Sequence, residues 1–390
     1  MTFADFIAPF DERRFIEEYF DKAPLHLKAT AGSAERPRLL DRSSVLELLE
    51  IVPQWQSGRL KMIMDSRPVA PDHYCATREA ADGPTLRPDR ALVEAMMALG
   101  ATAVANGVED VSGEIRRWCA ILGRRFAAKA GANIYFSQSG VQAFASHCDP
   151  HEVFAVQCEG RKLWRVYGAR ADSPVQSTLL TDQALIERAK GPLMMEAMME
   201  PGDVLYLPRG FYHDAVAQGG SSIHLTFAVQ PLYAAGLLEI VKELAIERPA
   251  MRCYLGSAEN TGTIIEQLSS FADEIVSILK SPALIEDIAV RQRTMATPIA
   301  ELEQGLPQLL VRTSLPCSVI QPMDGSMLLV GDARIGAGLL SDAGKWIFAQ
   351  TGFTSAQCRA RFCHHPAIEI DALLNKLIQL GALEEQAIRR

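Results

Sequence analysis

The stretch FASHCDPHEVFAVQCEGRKLWRVY, residues 144–167, sets two histidines, an aspartate and a lysine in an otherwise apolar, strand-like passage. Polar groups of these kinds are costly to bury unless something meets them. In an extended strand alternate side chains share a face, so His147 and Asp149 are expected to point the same way. A neutral imidazole beside a carboxylate supplies two of the three ligands of a two-histidine, one-carboxylate facial triad. Such a triad leaves open positions on the ion and suits non-haem Fe(II) that must also bind a co-substrate and O2. The third ligand should be a histidine from another strand, and PGDVLYLPRGFYHDA, residues 201–215, supplies it. There a turn at 201–203, a strand VLYLP and a second turn at 208–210 lead directly to His213. Two strands bracketed by turns would bring His213 opposite His147 across a small barrel. Either histidine alone reads more simply as a satisfied polar residue at a barrel end; the set reads as a metal site. Pro150 interrupts the strand before His151, which places His151 near the site mouth and outside the ligand set.

These residues need a rigid frame. From Asn133 to Gln230 the segments NIYFS, EVFAVQC, KLWRVY, DVLYLP and SIHLTFAV read as short strands separated by Gly, Pro or Asp, with EGRK as a tight turn between two of them. Many short strands with turn signals point to an antiparallel sandwich or barrel, the jelly roll above all. Before them the pattern is helical. DERRFIEEYF and DRSSVLELLEIV carry helix periodicity around a short strand in KAPLHL, and PDRALVEAMMALGATAVANGV and SGEIRRWCAILGRRFAAKAG read as two more helices, the second stopped at Gly131. After Pro231, AAGLLEIVKELAIERPAM and IIEQLSSFADEIVSILKSPALIEDIAVRQ carry apolar stripes that must bury against the sheet or a second subunit. From about Thr297, short strands (CSVIQP, SMLLVG) alternate with helices (TSAQCRARF, EIDALLNKLIQLG), as in a small α+β module of winged-helix type.

The 390-residue chain has room for two or three domains and, at 48% hydrophobic and 22% charged residues, ample material for a core. A net charge of −8 weighs against nonspecific binding to nucleic acid or anionic membrane. Residues 297–390 hold 9 acidic and 8 basic residues, so no electrostatic footprint for direct nucleic-acid binding arises there. No apolar run is long enough to span a bilayer, and the first residues do not read as a signal peptide. The eight cysteines (75, 119, 148, 158, 253, 317, 358 and 363) are dispersed without a CxxC pair, which argues for neither a zinc site nor a disulfide framework. A reducing cytoplasm is the expected setting.

The segments NIYFSQSGVQAFASHCDPHEVFAVQCEGRKLWRVY and EPGDVLYLPRGFYHDAVAQGGSSIHLTFAV resemble the JmjC-type cupin oxygenases of the ribosomal oxygenase group, and FIEEYFDKAPLHL extends the likeness more loosely. The resemblance implies an α+β chain built on a double-stranded β-helix with flanking helices. It divides into a JmjC/cupin catalytic domain with an N-terminal helical elaboration (1–231), a helical dimerisation region (232–296) and a C-terminal winged-helix-like domain (297–390). It implies an Fe(II)- and 2-oxoglutarate-dependent dioxygenase that consumes O2, releases succinate and CO2, and hydroxylates an arginine or histidine side chain of a ribosomal protein. His147, Asp149 and His213 match the iron ligands, Lys162 the basic residue that pairs with the distal carboxylate of 2-oxoglutarate, and Asn133 and Tyr135 polar residues lining the co-substrate pocket.

The residues agree on their own terms. 2-Oxoglutarate is a dianion, and iron neutralises only its 1-carboxylate end, so the buried distal carboxylate needs a cation or several donors. Lys162, Trp164 and Val166 share a strand face, and an inward Lys beside Trp and Val makes sense if an anion meets it. The bland alternative is a solvated face that includes Arg161 and Arg165. Tyr135 reads either as a hydroxyl donor to that carboxylate or as a core aromatic. His224 and Thr226 share a parity and could face the co-substrate, although His224 reads more simply as a hydrogen-bonded core histidine, while Arg209 and Tyr212 are open to a turn role or contact with substrate. Other readings stay in view: an oxygenase acting on a peptide or small molecule, a JmjC lysine demethylase, or a non-catalytic metal-binding cupin.

Overall fold

The structure is a computed structural model that describes residues 2–30, 40, 42–51, 59–78, 85–110, 112–175, 182–257, 261–295, 309–320, 327–336, 340–362, 365 and 367–386. Cys363 lies outside them. Its core is a nine-stranded antiparallel sheet. In chain order its strands are β1 Leu25–Leu27, β2 Leu60–Met64, β3 Arg67–Pro68, β6 Thr102–Asn106, β7 Ala128–Ser137, β8 Glu152–Arg170, β9 Leu193–Met199, β10 Val204–Leu207 and β11 Phe211–Pro231; a small pair, β4 Cys75–Arg78 and β5 Thr85–Pro88, stands apart. The spatial order is β1-β10-β8-β11-β7-β6-β2-β3, with β9 added to β8.

The two long strands turn this sheet into a jelly roll. The first half of β8 pairs with β10 and with the second half of β11, while its second half pairs with β9 and with the first half of β11. Both strands therefore belong to both layers. EGRK is not the expected tight turn between two strands: the chain passes through it in one direction, bent at Gly160, whose φ is +65°. A side chain at Gly160 would place its Cβ 1.9 Å from the Ser221 carbonyl oxygen, so only glycine fits. The opposite bend in β11 falls at Gly219–Gly220, where its register against β8 shifts. At each bend the inward parity changes, as expected of a bulge. In β8, Val153 and Ala155 face between the layers before the bend, and Trp164 and Val166 after it. In β11, Ile223, Leu225, Phe227 and Val229 face the helices, which turns His224 and Thr226 inward.

Helices cover the other face of the larger layer. Phe3, Phe6 and Phe15 from the first helices, with Trp118 and Phe126 from the helix Gly113–Phe126, pack on Phe154, Tyr206 and Phe227. That helix begins at Ser112, whose side chain caps Ile115 N–H. It ends earlier than the sequence suggests. Ala127 adopts a left-handed conformation, and the chain goes straight into β7, so Gly131 is a strand residue. The helix expected through residue 108 likewise stops at Ala98, and Thr102–Asn106 is a buried strand between β2 and β7. Small residues such as Ala103 and Ala105 suit either state locally; pairing on both sides decides for the strand. The sheet thus starts well before Asn133.

Beyond Pro231, the helices Leu237–Ile246, Thr261–Leu279 and Pro282–Met295 share a small core of Ile240, Val241, Ile278 and Leu284. The last part holds two three-stranded antiparallel sheets and the helices Ser341–Ala349, Ser355–Arg361 and Ala367–Gln379, around Leu328, Ile347, Phe353 and Leu377. Among the described residues no helix is long and apolar enough to cross a membrane.

Candidate active site

His213 is the third residue of β11, which starts directly after the Pro208–Gly210 turn. Gly210 has φ +87°, and a Cβ there would lie 2.6 Å from the Ala171 carbonyl oxygen. His147 and Asp149 do not sit on a strand as expected. They lie in a loop that enters β8, tied to β11 by one bridge. The bridge pairs His147 with His213, each N–H donating to the other's carbonyl at 3.0 and 2.8 Å. The two histidines are thus direct neighbours, with ring centroids 4.5 Å apart, and do not face each other across the barrel. Gly210 N–H donates to the Asp149 carbonyl at 2.9 Å and secures the loop's far end.

The three side chains converge, with one ligand atom from each within 4.8 Å of the others. Asp149 Oδ2 is 3.6 Å from His213 Nε2. Donor atoms bound at about 2.1 Å in cis positions on one ion are about 3 Å apart, so small side-chain shifts close this set around a metal. The imidazoles are prepared for it. His147 Nδ1 donates to the Ala145 carbonyl at 2.9 Å and His213 Nδ1 to the Phe211 carbonyl at 3.0 Å. A carbonyl only accepts, so each Nδ1 carries the proton and each Nε2 keeps its lone pair. Burial, with His147 nearby, lowers the His213 pKa to about 4, which keeps it neutral at ordinary pH. Burial opposes the charge on Asp149, but His147, His213 and His151 outweigh it and lower its pKa. His151 therefore supports the site from outside the ligand group. Among the described residues this is the one such cluster of histidine, cysteine and acidic side chains.

A polar pocket adjoins the cluster. In register, His213 lies opposite Val166, Ala215 opposite Trp164 and Ala217 opposite Lys162. Lys162 is therefore inward and only 2% exposed, against the solvated-face alternative. Its ammonium reaches His224 Nδ1 at 3.4 Å, and no carboxylate pairs with it among the described residues. Burial lowers its pKa to about 7. Trp164 stacks on His213 at 5.8 Å and stands edge-on to His224 at 5.3 Å, so it spans from the metal cluster to the lysine. Its Nε1–H is buried with no partner among the described residues. Tyr135 stacks on His224 at 4.7 Å, and burial, then the Asp149 charge, raise its pKa, so it remains a phenol able to donate. The small side chains of Ala155, Ala215 and Ala217 share this inward face.

Asn133 shares the Tyr135 face, but its Oδ1 accepts the Gly107 N–H at 3.2 Å, which commits part of the amide to holding the loop after β6. His224 is hydrogen-bonded and buried, as read from sequence, yet its partner is Lys162, which makes it a pocket wall. Its parity with Thr226 was the available signal. Tyr212 turns away from the cluster and packs with Cys148, Tyr167 and Ile186. Arg209 lies over the Tyr233 ring at 4.9 Å, and its N–H donates to Glu152. Asp214 and Ser146, which brace the loop from outside, drew no attention in the sequence.

Comparison with known proteins fits this geometry. The family model for the JmjC domain matches residues 112–237. Human ribosomal oxygenase 1 is 39% identical over 134 residues, 34% of this chain and 21% of that protein. The bifunctional lysine-specific demethylase and histidyl-hydroxylase NO66 of Drosophila persimilis is 27% identical over 258 residues, 63% of this chain and 34% of that protein. The chain thus spans about a fifth to a third of the length of these curated relatives. Among solved structures, the Escherichia coli ribosomal oxygenase YcfD in complex with cobalt and 2-oxoglutarate superposes with a TM-score of 0.50 at 15% identity, covering 97% of this chain and 99% of that one, a likeness of fold. The likeness to the JmjC domain family thus rests on residues 112–237, the stretch that holds the three converging side chains and Lys162.

Proposed function

We propose that this chain is an Fe(II)- and 2-oxoglutarate-dependent oxygenase that hydroxylates a protein side chain. The observation that carries the reading is Lys162: a buried cation without a carboxylate partner among the described residues, on the same inward face as His213. His147, Asp149 and His213 would hold the metal through two Nε2 atoms and a carboxylate oxygen. Lys162 would pair with the distal carboxylate of 2-oxoglutarate, with the Tyr135 hydroxyl as a further donor. Trp164 would wall the pocket and offer its unpaired N–H. When bound, the metal and 2-oxoglutarate supply the oxidation, in which O2 and 2-oxoglutarate give succinate and CO2 and a substrate C–H becomes C–OH. The protein orients the dianion between ligand set and lysine, and its apolar walls exclude water.

For the substrate we favour an arginine or histidine of a ribosomal protein. The sequence resemblance supports this, and so do the names of the relatives, ribosomal oxygenase and histidyl-hydroxylase. A second reading, lysine demethylation, is named for the Drosophila relatives. Hydroxylation leaves one added oxygen on the product peptide, whereas demethylation releases formaldehyde, so mass spectrometry with a formaldehyde assay separates them. The division at 231/232 and 296/297 is proposed on the separate small cores of the later segments. The helices of 232–296 are proposed as a dimer element because Leu238, Ile246, Ile265, Leu268, Phe271 and Ile285 lie exposed on them. The winged-helix description of 297–390 and a cytoplasmic setting belong to the same proposal.

The test is an anaerobic titration of 2-oxoglutarate into Fe(II)-loaded protein, followed by visible absorption. The expected charge-transfer band grows in with wild type, vanishes in His213→Ala and needs far more 2-oxoglutarate in Lys162→Ala. Iron binding without any such band would leave a non-oxygenase metal cupin.

A further inference from the structure

The loop that carries His147 and Asp149 has two sides. His147 and Asp149 point into the ligand cluster, whereas Ser146 and Cys148 are buried on the loop's other side. Cys148 is fully buried against Tyr167, Ile186 and Tyr212. Ser146 meets Asp214, the neighbour of His213 in the chain, which is 3% exposed. The Asp214 carboxylate is fully engaged. Oδ2 accepts the Ser146 hydroxyl at 2.8 Å and the Tyr167 hydroxyl at 2.7 Å, and Oδ1 accepts Arg165 Nε–H at 2.8 Å and pairs with Nη2 at 2.8 Å. Lys190 adds a donor to Ser146 Oγ at 3.1 Å and lies 4.1 Å over the Tyr167 ring. Such charge-assisted bonds are short and directional.

We propose that Asp214 is a positioning residue for the metal centre, holding the His147–Asp149 loop in register with His213 through Ser146 and Tyr167. The reason lies in what else holds the loop. Ladder pairing contributes one bridge, His147 to His213. Gly210 N–H ties the Asp149 carbonyl, the Tyr233 hydroxyl the Pro150 carbonyl, and Ser66 the Ala143 carbonyl and the Ala145 N–H, but these bonds hold the backbone on either side of the two ligands. Two of three ligands therefore sit on a segment without a ladder of its own. The dipeptide His213–Asp214 closes the gap: one residue sends a ligand inward and the next clamps the opposing loop from outside. The inference rests on the reading of the cluster as a metal site.

The test uses Co(II), whose visible absorption reports both occupancy and coordination geometry. In Asp214→Asn the amide replaces one acceptor oxygen with a donor, so Ser146 and Tyr167, or Arg165, lose their acceptor. Co(II) affinity should fall by about tenfold or more, the range seen when groups that orient metal ligands are removed. The cobalt spectrum should change while circular dichroism stays that of folded protein. Ser146→Ala and Tyr167→Phe should each weaken binding less, and neither should add to the loss in Asp214→Asn, because all three act through one clamp. A merely structural Asp214 predicts a lowered Tm with unchanged Co(II) affinity and spectrum, and that result overturns the proposal. If Asp214→Asn does not fold, the double variant Ser146→Ala/Tyr167→Phe decides by the same readout. Wild type that binds no Co(II) would bring down the metal reading itself, a failure distinct from variants that bind as well as wild type.

Discussion

Lys162 keeps its ammonium on a face shared with Trp164, where burial brings its pKa down to about 7 from 10.5. A base whose folded pKa is depressed makes the unfolded chain the better proton binder between these values. Stability of the ligand-free protein should therefore rise as pH goes from about 7 to about 10.5, and denaturant unfolding across that window checks it. Lys162→Met should flatten the dependence and stabilise the free protein near neutral pH by on the order of a few kcal/mol. The same substitution should abolish tight binding of 2-oxoglutarate. In wild type the anion needs the protonated lysine, so its dissociation constant should climb above pH 7 by up to about tenfold per pH unit, and calorimetric titration at several pH values reads this directly. The ligand triad makes a separate demand. Metal at a hundredfold excess over its dissociation constant should add about 2.7 kcal/mol of stability, lost on chelation and absent in His213→Ala.

At the scale of elements, the bends in β8 and β11 decide which side chains meet. Gly160 lets β8 change parity, so that Ala155 before it and Trp164 after it both face inward. Gly160→Ala forces a Cβ against the Ser221 carbonyl in a left-handed backbone. A cost of roughly 1–3 kcal/mol or more is expected. Where the variant still folds, weaker 2-oxoglutarate binding should accompany the loss, because Lys162 follows the bend by two residues. Chemical unfolding with a parallel binding titration separates the two effects. The β6 strand shows the opposite case: no residue in TAVAN demands a strand, and only its place between β2 and β7 makes it one.

At the scale of the molecule, the helix Thr261–Leu279 buries Ile278 and half-buries Ile275 against its neighbours while Ile265, Leu268 and Phe271 remain exposed. An apolar stripe of this kind marks an interaction surface. The expected outcome is a dimer in size-exclusion chromatography with light scattering, converted to monomer by Leu268→Glu with the circular dichroism spectrum retained. A monomeric wild type would assign the stripe to another partner.

The residue types of the site were legible in the sequence because chemistry restricts them: few side chains bind a metal, and His147, Asp149, His213 and Lys162 stand out in apolar surroundings. The jelly-roll class was legible because turn residues recur between short β-branched and aromatic runs. Which face each residue takes was not. The local pattern suggests an extended strand through His147 and Asp149 and a tight turn at EGRK, whereas the ligands lie on a loop and EGRK is a bend within one strand. Side-chain direction in a sheet depends on register, and register here is decided by contacts far apart in sequence, Gly160 against Ser221 and Asp214 against Ser146. Local residue identity determined what chemistry is available; only tertiary packing decided that Lys162, Trp164, His224 and the three ligands share one interior.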